Sequence, residues 1–189
     1  PVNPPKPVLE QFEGTDARKI FFRNTISGHA VIIKKELVQL VVPFTQGIYY
    51  DWWIAVVAAY NGGVQHVEEV LVYHRSHVEN ITVNSMRKFN EDEQRYLNKK
   101  TLIKHSQKFS TALNIPASHR DFLIQYSRLL EESLTRKFHK KLFWLLFRNR
   151  HLLFSYKKRK IGIISHFKHS YLNTVTHFHK ISLEKISSF

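Results

Sequence analysis

Cysteine is absent from this chain of 189 residues, so disulfides and thiolate metal sites are excluded. Long apolar runs are absent too, since none reaches the roughly 18 residues that a membrane-spanning helix needs. Residues 1–7 are rich in proline and do not have the apolar centre of a secretory signal. With 43% hydrophobic and 13% aromatic residues, the chain can build one domain with a core. Because it begins with proline rather than methionine, we expect it to be part of a longer protein.

Acidic residues are scarce in the last part of the chain. The net charge is +14, and residues 134–189 contain 13 Lys and Arg against one acidic residue. This excess fits a solvated helical face, attachment to an anionic membrane surface through residues 134–160, or nucleic-acid binding. No helix-turn-helix, zinc-finger or aromatic RNA-binding motif accompanies the charge, which disfavours nucleic acid. The membrane interpretation is favoured by interleaved apolar residues, namely Leu142, Phe143, Trp144, Leu145, Leu146, Phe147, Leu152, Leu153 and Phe154.

Short apolar runs alternate with turn residues over the first 84 residues. The β-rich runs predict strands within residues 24–35, 64–67 and 70–75. Helical spacing predicts helices at residues 36–42, 50–60, 85–113 and 118–145, the last with Ser118 as its N-cap. The predicted fold is therefore α/β to α+β and helix-rich, with a few strands near residues 29–75. We expect two regions, residues 1–84 and a helical, basic region of residues 85–189.

Residues 46–84 contain the side chains that indicate chemistry. The helix at residues 50–60 begins with Asp51 and two tryptophans, a combination suited to sugars, because aromatic faces pack on pyranose C–H groups and carboxylates accept hydroxyl protons. A cluster that suits phosphate or a divalent cation follows, formed by His74, Arg75, His77 and Asn80.

Each of these residues also has a purely structural interpretation. Asp51 could only cap its helix, and at least one of the adjacent Trp52 and Trp53 should belong to the core. His74 could be a packed histidine, and Arg75 could pair with Glu68 or Glu69 across strands. The remaining histidines have no convincing metal-ligand spacing and are treated as background: His105, His119, His139, His151, His166, His169, His177 and His179.

The order of these features resembles the C-terminal half of inverting family 2 glycosyltransferases with the GT-A fold. It resembles in particular bacterial enzymes that build rhamnose-containing and related surface polysaccharides. The resemblance covers about residues 22–84 and is carried by NTISGHAVIIKKEL, by YYDWWIAVVAAYNGG and by the closing HRSHVEN. His74 stands where the family more often has tyrosine.

The resemblance implies a partial GT-A fold and a role for each matched residue. Asp51 would be the general base that takes the acceptor proton. The donor diphosphate or its metal ion would lie near His74, Arg75, His77 and Asn80, with His77 as a metal ligand. The acceptor would lie near Trp52, Trp53, Gly28 and His29. A complete enzyme would need Mg²⁺ or Mn²⁺, a nucleotide-sugar donor and a saccharide or lipid-linked acceptor.

One departure from the family pattern concerns the donor side. The chain has neither a DxD motif nor a glycine-rich phosphate loop, and the acidic run at residues 91–93 falls in a predicted helix. We therefore expect the chain to be inactive without a nucleotide-binding half. Its expected location is cytoplasmic, peripheral on the inner face of a bacterial plasma membrane. The alternative is a non-enzymatic basic helical module that docks on a membrane or a protein partner.

Overall fold

The computed structural model describes residues 9–72, 88–157, 162–177 and 180–182. Over these residues the chain forms short 3₁₀ helices at Ala17–Ile20 and Gly28–Ala30. The α-helices are α1 (Lys35–Val41), α2 (Tyr50–Tyr60), α3 (Glu91–Ala112), α4 (Ala117–Ser133), α5 (Lys140–Arg148), α6 (Arg150–Leu153) and α7 (Ile163–Thr174). The predicted helix-rich character is confirmed. None of the helices in these ranges has both the length and the hydropathy of a membrane span.

Helix α2 lies at the centre of the core. Eight consecutive residues from Trp52 to Ala59 are buried, so the helix contacts protein on all sides. It ends as predicted at a glycine pair: Gly62 and Gly63 have φ of +111° and +93°, and the Gly63 N–H donates to the Ala58 carbonyl at 2.8 Å.

The acidic run at residues 91–93 forms the first turn of α3. The Asn90 side chain accepts hydrogen bonds from the N–H groups of Asp92 and Glu93, while Glu93 accepts one from the Asn90 N–H at 2.9 Å. This reciprocal cap satisfies N–H groups that a helix start leaves without intrahelical partners. The acidic run therefore stabilises the N-terminus of α3.

One core joins the two predicted regions. It contains Phe12 and Ile20 from the front of the chain and Leu123, Leu142 and Tyr156 from the back. The expected boundary between residues 84 and 85 lies outside the described residues.

The predicted strands were wrong where the structure describes them. Within residues 24–35 the chain forms the 3₁₀ helix and leaves Ile32 95% exposed. Residues 64–72 are irregular, and Val64 forms only an isolated bridge with Gly14. In the described part of the chain β-pairing is limited to isolated bridges, because no described segment lies alongside these runs as a partner strand.

The single helix predicted for residues 118–145 is also wrong. Helix α4 begins at Ala117 after Pro116, so Ser118 is inside the helix rather than at its N-cap. A separate helix α5 follows, and His139 Nδ1 caps it by accepting the Leu142 N–H at 3.1 Å. The helical spacing of apolar residues continues across the break between α4 and α5, so the sequence pattern alone does not indicate that the helix ends there.

Candidate functional site

Asp51 lies in the first turn of α2, where the helix dipole favours a negative charge. Its carboxylate is half-buried, and Oδ1 accepts the Trp52 N–H at 2.7 Å. The residue thus satisfies one backbone donor of the helix start while part of the carboxylate faces solvent. Asp51 thus lies inside the first turn rather than at the N-cap, which is Tyr49, and the exposed part of its carboxylate is accessible to a bound hydroxyl.

The loop at Gly28 lies directly against the start of α2. A methyl group on Gly28 would overlap the hydroxyl and ring of Tyr50, the residue that precedes Asp51. The close approach therefore depends on glycine at this position. Next to it, the exposed His29 has its Nδ1 2.8 Å from the Ser27 Oγ. The structure thus brings together two of the three segments that carry the family resemblance, and the third, residues 74–80, lies outside the described residues.

His105 of α3 supports the start of α2 from the core side. Its Nε2 accepts the Tyr49 N–H at 3.0 Å, and its Nδ1 donates to the Thr101 carbonyl at 2.8 Å. The ring also lies 4.6 Å from that of Trp52. Burial lowers the pKa of His105, against an opposing effect of the Thr101 hydrogen bond and the Asp51 charge. A neutral imidazole with hydrogen on Nδ1 fits both hydrogen bonds.

Lys104 places a cation beside the loop that leads into α2. Its Cε and Nζ would lie 2.6 and 2.9 Å from a methyl group on Gly47, whose φ of +82° is in the region that favours glycine. Its charge also contributes to lowering the pKa of His105. The site around Asp51 is therefore bordered by an exposed lysine.

Both tryptophans of α2 belong to the core. Trp52 is 6% exposed and Trp53 4% exposed. Their Nε1–H groups donate to the carbonyls of Ile20 at 2.8 Å and of Val41 at 2.9 Å. This packing leaves neither indole with an open face, so a contact between either one and a saccharide would require the core to open. The sequence predicts at least one core tryptophan, and the structure places both in the core.

Two exposed aromatic residues at the same helix start were missed. Tyr49 and Tyr50 are 60% and 56% exposed, and they immediately precede Asp51. The signal was present in the run YYDWW, because the polar hydroxyl makes tyrosine the more suitable aromatic at a wet surface.

The donor-side residues predicted from sequence, His74, Arg75, His77 and Asn80, lie outside the described residues. Within the described ranges, no three His, Cys, Asp or Glu side chains are grouped as metal ligands would be. The residues described here therefore do not form the expected Mg²⁺ or Mn²⁺ site.

Several histidines treated as background have defined partners. His119 Nδ1 lies 2.8 Å from the Tyr60 hydroxyl, His139 Nε2 3.0 Å from Glu132 Oε2, and His169 Nε2 2.8 Å from the Tyr156 hydroxyl. These contacts join different elements of the fold.

Comparisons with family models, with characterised proteins and with solved structures find no match to this chain.

Proposed function

We propose that this chain is the acceptor-side part of an inverting glycosyltransferase and that Asp51 is its general base. The observation that carries the proposal is the contact between Gly28 and Tyr50. In this contact the glycine loop lies beside the first turn of α2, which contains Asp51, and these are two of the three segments that carry the family resemblance.

The proposed reaction uses the carboxylate of Asp51 as a proton acceptor. Asp51 takes the proton of an acceptor hydroxyl while that oxygen forms a bond to the anomeric carbon of the donor. The bond from the anomeric carbon to the diphosphate oxygen breaks on the opposite face, and the nucleoside diphosphate leaves with the electron pair. The rings of Tyr49 and Tyr50 are exposed, and we propose that they pack on the acceptor sugar.

A second part of the enzyme would complete the site. Apolar residues that favour strands are exposed where the resemblance expects strand pairing, namely Ile32, Val67, Val70, Leu71 and Val72. We propose that a nucleotide-binding part covers them and supplies the acidic motif for the divalent cation. The described residues contain no group of side chains that could bind this cation, so the proposed reaction has no step that involves it.

The donor side of the proposal concerns Arg75 and His77, with His74 and Asn80 nearby in sequence. Arg75 would offset the charge of the departing diphosphate. Arg75→Ala and His77→Ala should each weaken the affinity for the nucleoside diphosphate and metal more than the affinity for the acceptor. Calorimetry on the complete protein measures both, and unchanged diphosphate affinity in both variants counts against this role.

The coding sequence upstream of this chain offers a direct test of the proposal. It should encode alternating strands and helices that end in a DxD-like motif. In the complete protein, Asp51→Asn should lose sugar transfer, whereas Asp121→Asn, at an exposed carboxylate of α4, should not.

A non-enzymatic docking module is the second candidate function. It is favoured by the exposed aromatic residues on the basic helices α5 and α7. Upstream sequence without the strand and helix alternation, together with a complete protein that transfers no sugar, would leave this candidate as the better account.

A further inference from the structure

Helices α5 and α7 present a continuous aromatic surface to solvent. Phe143 is buried beneath this surface, with ring centroids 4.9 Å from Phe167 of α7 and 5.9 Å from Phe147. The Trp144 ring lies 6.0 Å from that of Phe147. Phe138 extends the surface, because its ring contacts both Phe143 and Tyr171. Rings from two helices therefore form one layer.

The outer members of this layer are exposed. Trp144 is 44% exposed and Phe167 51% exposed. Ile163 and Ile164 lie one turn before Phe167 on α7, and Ile164 is 82% exposed. We name the exposed set the aromatic face, which consists of Phe138, Trp144, Ile163, Ile164, Phe167 and Tyr171. Contiguous apolar surface of this kind usually marks an interaction site.

Cations are interspersed with the aromatic face. On α5, Lys140, Trp144 and Arg148 are spaced four residues apart and so share one side of the helix. On α7, Lys168 directly follows Phe167 and is exposed. The sequence contains no aspartate or glutamate between Glu132 and Glu184, so this part of the chain offers no acidic side chain to balance the cations. The partner must therefore be anionic.

The apolar composition distinguishes among anionic partners. Single-stranded nucleic acid is bound by aromatic stacking, to which isoleucine side chains add little. A lipid surface accepts both kinds of side chain, because aliphatic groups enter the acyl boundary while tryptophan, tyrosine and lysine stay at the headgroup level. Ile163 and Ile164 at the exposed start of α7 thus favour lipid.

We propose that the aromatic face docks the protein peripherally on an anionic phospholipid bilayer, with Lys140, Lys141, Arg148 and Lys168 at the headgroups. This inference is independent of the transfer reaction. It also corrects the residues expected to touch lipid, because Leu142, Phe143, Leu146, Leu153 and Phe154 are buried in the protein. Helix α7, outside the predicted segment of residues 134–160, supplies much of the exposed apolar surface instead.

Trp144 provides a spectroscopic probe for this proposal. The chain has three tryptophans, and the other two are the buried Trp52 and Trp53. On addition of vesicles that contain phosphatidylglycerol, the emission should shift to shorter wavelength and acrylamide quenching should fall. Pure phosphatidylcholine vesicles should cause much smaller changes. In Trp144→Phe the shift should vanish although the protein still binds.

Sedimentation with the same vesicles measures the contribution of each group. Combining Ile164→Ser with Phe167→Ser should weaken binding about tenfold, because these exposed apolar side chains enter lipid. Lys140→Gln and Lys141→Gln should each weaken binding about fivefold at low salt. The matched controls are Ile124→Ser on α4 and Lys100→Gln with Lys108→Gln on α3, all at exposed positions outside the aromatic face. These controls should bind as the wild type does.

The proposal is overturned by any of three results. The first is no binding to strongly anionic vesicles at low salt. The second is equal loss of binding in the control and aromatic-face variants. The third is a wild-type protein that associates with itself, or binds only single-stranded nucleic acid, through the aromatic face. Far-ultraviolet circular dichroism of every variant separates loss of binding from loss of fold.

Discussion

His105 Nε2 accepts a hydrogen bond from the backbone N–H of Tyr49, 3.0 Å away and 56 residues earlier in the chain. The bond connects α3 to the start of α2, where Asp51 lies. Because the His105 ring also packs at 4.6 Å on Trp52, the same residue supports both the backbone and the packing of the candidate site.

His105→Ala should therefore destabilise the protein. It removes the partner of the Tyr49 N–H and the ring contact with Trp52, so we expect the free energy of unfolding to fall by about 1–3 kcal/mol. His105→Gln, whose carbonyl oxygen can accept the same N–H, should recover part of this loss. Urea denaturation measures both. The exposed His66→Ala is the control, and equal stability of His105→Ala and wild type would contradict the role assigned to His105.

Gly28→Ala should disturb the start of α2 through Tyr50. The added methyl group overlaps the Tyr50 hydroxyl and ring, so the exposed Tyr50 side chain must move, and we expect a loss of about 1 kcal/mol in the free energy of unfolding. Tyr50→Ala removes the obstacle, so the same glycine substitution in that background should cost much less. Gly162→Ala is the matched control, because an added methyl group there meets nothing within 4 Å. Equal costs of Gly28→Ala in both backgrounds would show that the contact is not made.

His169 should make the protein less stable in mild acid. Burial is the main cause that lowers its pKa to about 4, with further contributions from Lys157, His166 and Arg23. The unfolded chain, with an ordinary pKa near 6.5, therefore takes up this proton first as the pH falls. The free energy of unfolding is therefore not reduced by His169 above about pH 6.5, and it declines as the pH falls from there toward 4. Allowing for solvent screening, the loss is about 1–2 kcal/mol.

The His169→Gln variant isolates this effect. Thermal unfolding of wild type and variant across that pH range gives two stability curves, and other titrating groups contribute to both. The difference between the curves should change between pH 6.5 and pH 4 and stay constant above pH 7. A difference that does not change with pH would mean that His169 keeps its ordinary pKa in the folded protein.

Burial of the charged Lys99 side chain should lower the free energy of unfolding at neutral pH. Its side chain is buried, with Nζ 2.8 Å from the Thr176 Oγ1 and 3.3 Å from the Val175 carbonyl. Burial first, and then Arg95, lower its pKa to about 8. The unfolded chain thus holds this proton more tightly, so stability rises as the pH increases from about 8 to about 10.5.

Lys99→Met removes the buried charge and keeps an apolar side chain of similar length. Thr176 still donates to the Ser133 carbonyl at 3.0 Å, so its hydroxyl keeps an acceptor. We expect the variant to be about 1 kcal/mol more stable than wild type at pH 7, after loss of the lysine hydrogen bonds. The advantage should shrink above pH 8. A less stable variant at pH 7 would show that the hydrogen bonds outweigh the desolvation.

The three tryptophans should respond differently to replacement by phenylalanine. Trp52→Phe and Trp53→Phe each leave a buried carbonyl without its indole donor and reduce core volume, so each should cost about 2–4 kcal/mol. Trp144→Phe, at an exposed position, should change stability by less than about 0.5 kcal/mol. Thermal unfolding checks all three. Tolerance at Trp52 and Trp53 would contradict their place in the core.

The sequence predicted those features of the fold that depend on neighbouring residues. The bounds of α2 follow from an apolar run and a glycine pair, and the structure confirms them at Tyr50–Tyr60. The predicted strands failed because a strand depends on a partner elsewhere, and within the described chain residues 64–72 pair only at the single bridge between Val64 and Gly14. The bond between His105 and Tyr49 joins positions too far apart for any spacing rule. The aromatic face likewise depends on how α5 packs against α7.

The central claim is that Asp51 acts as the base, and the rate of sugar transfer by the complete protein tests it most directly. In Asp51→Asn the amide cannot take the acceptor proton, so transfer should fall by about 10²- to 10⁴-fold while donor affinity stays nearly unchanged. Asp121→Asn should keep the wild-type rate. Transfer by Asp51→Asn at close to the wild-type rate would contradict the claim and leave Asp51 only as an acidic residue of the first helical turn.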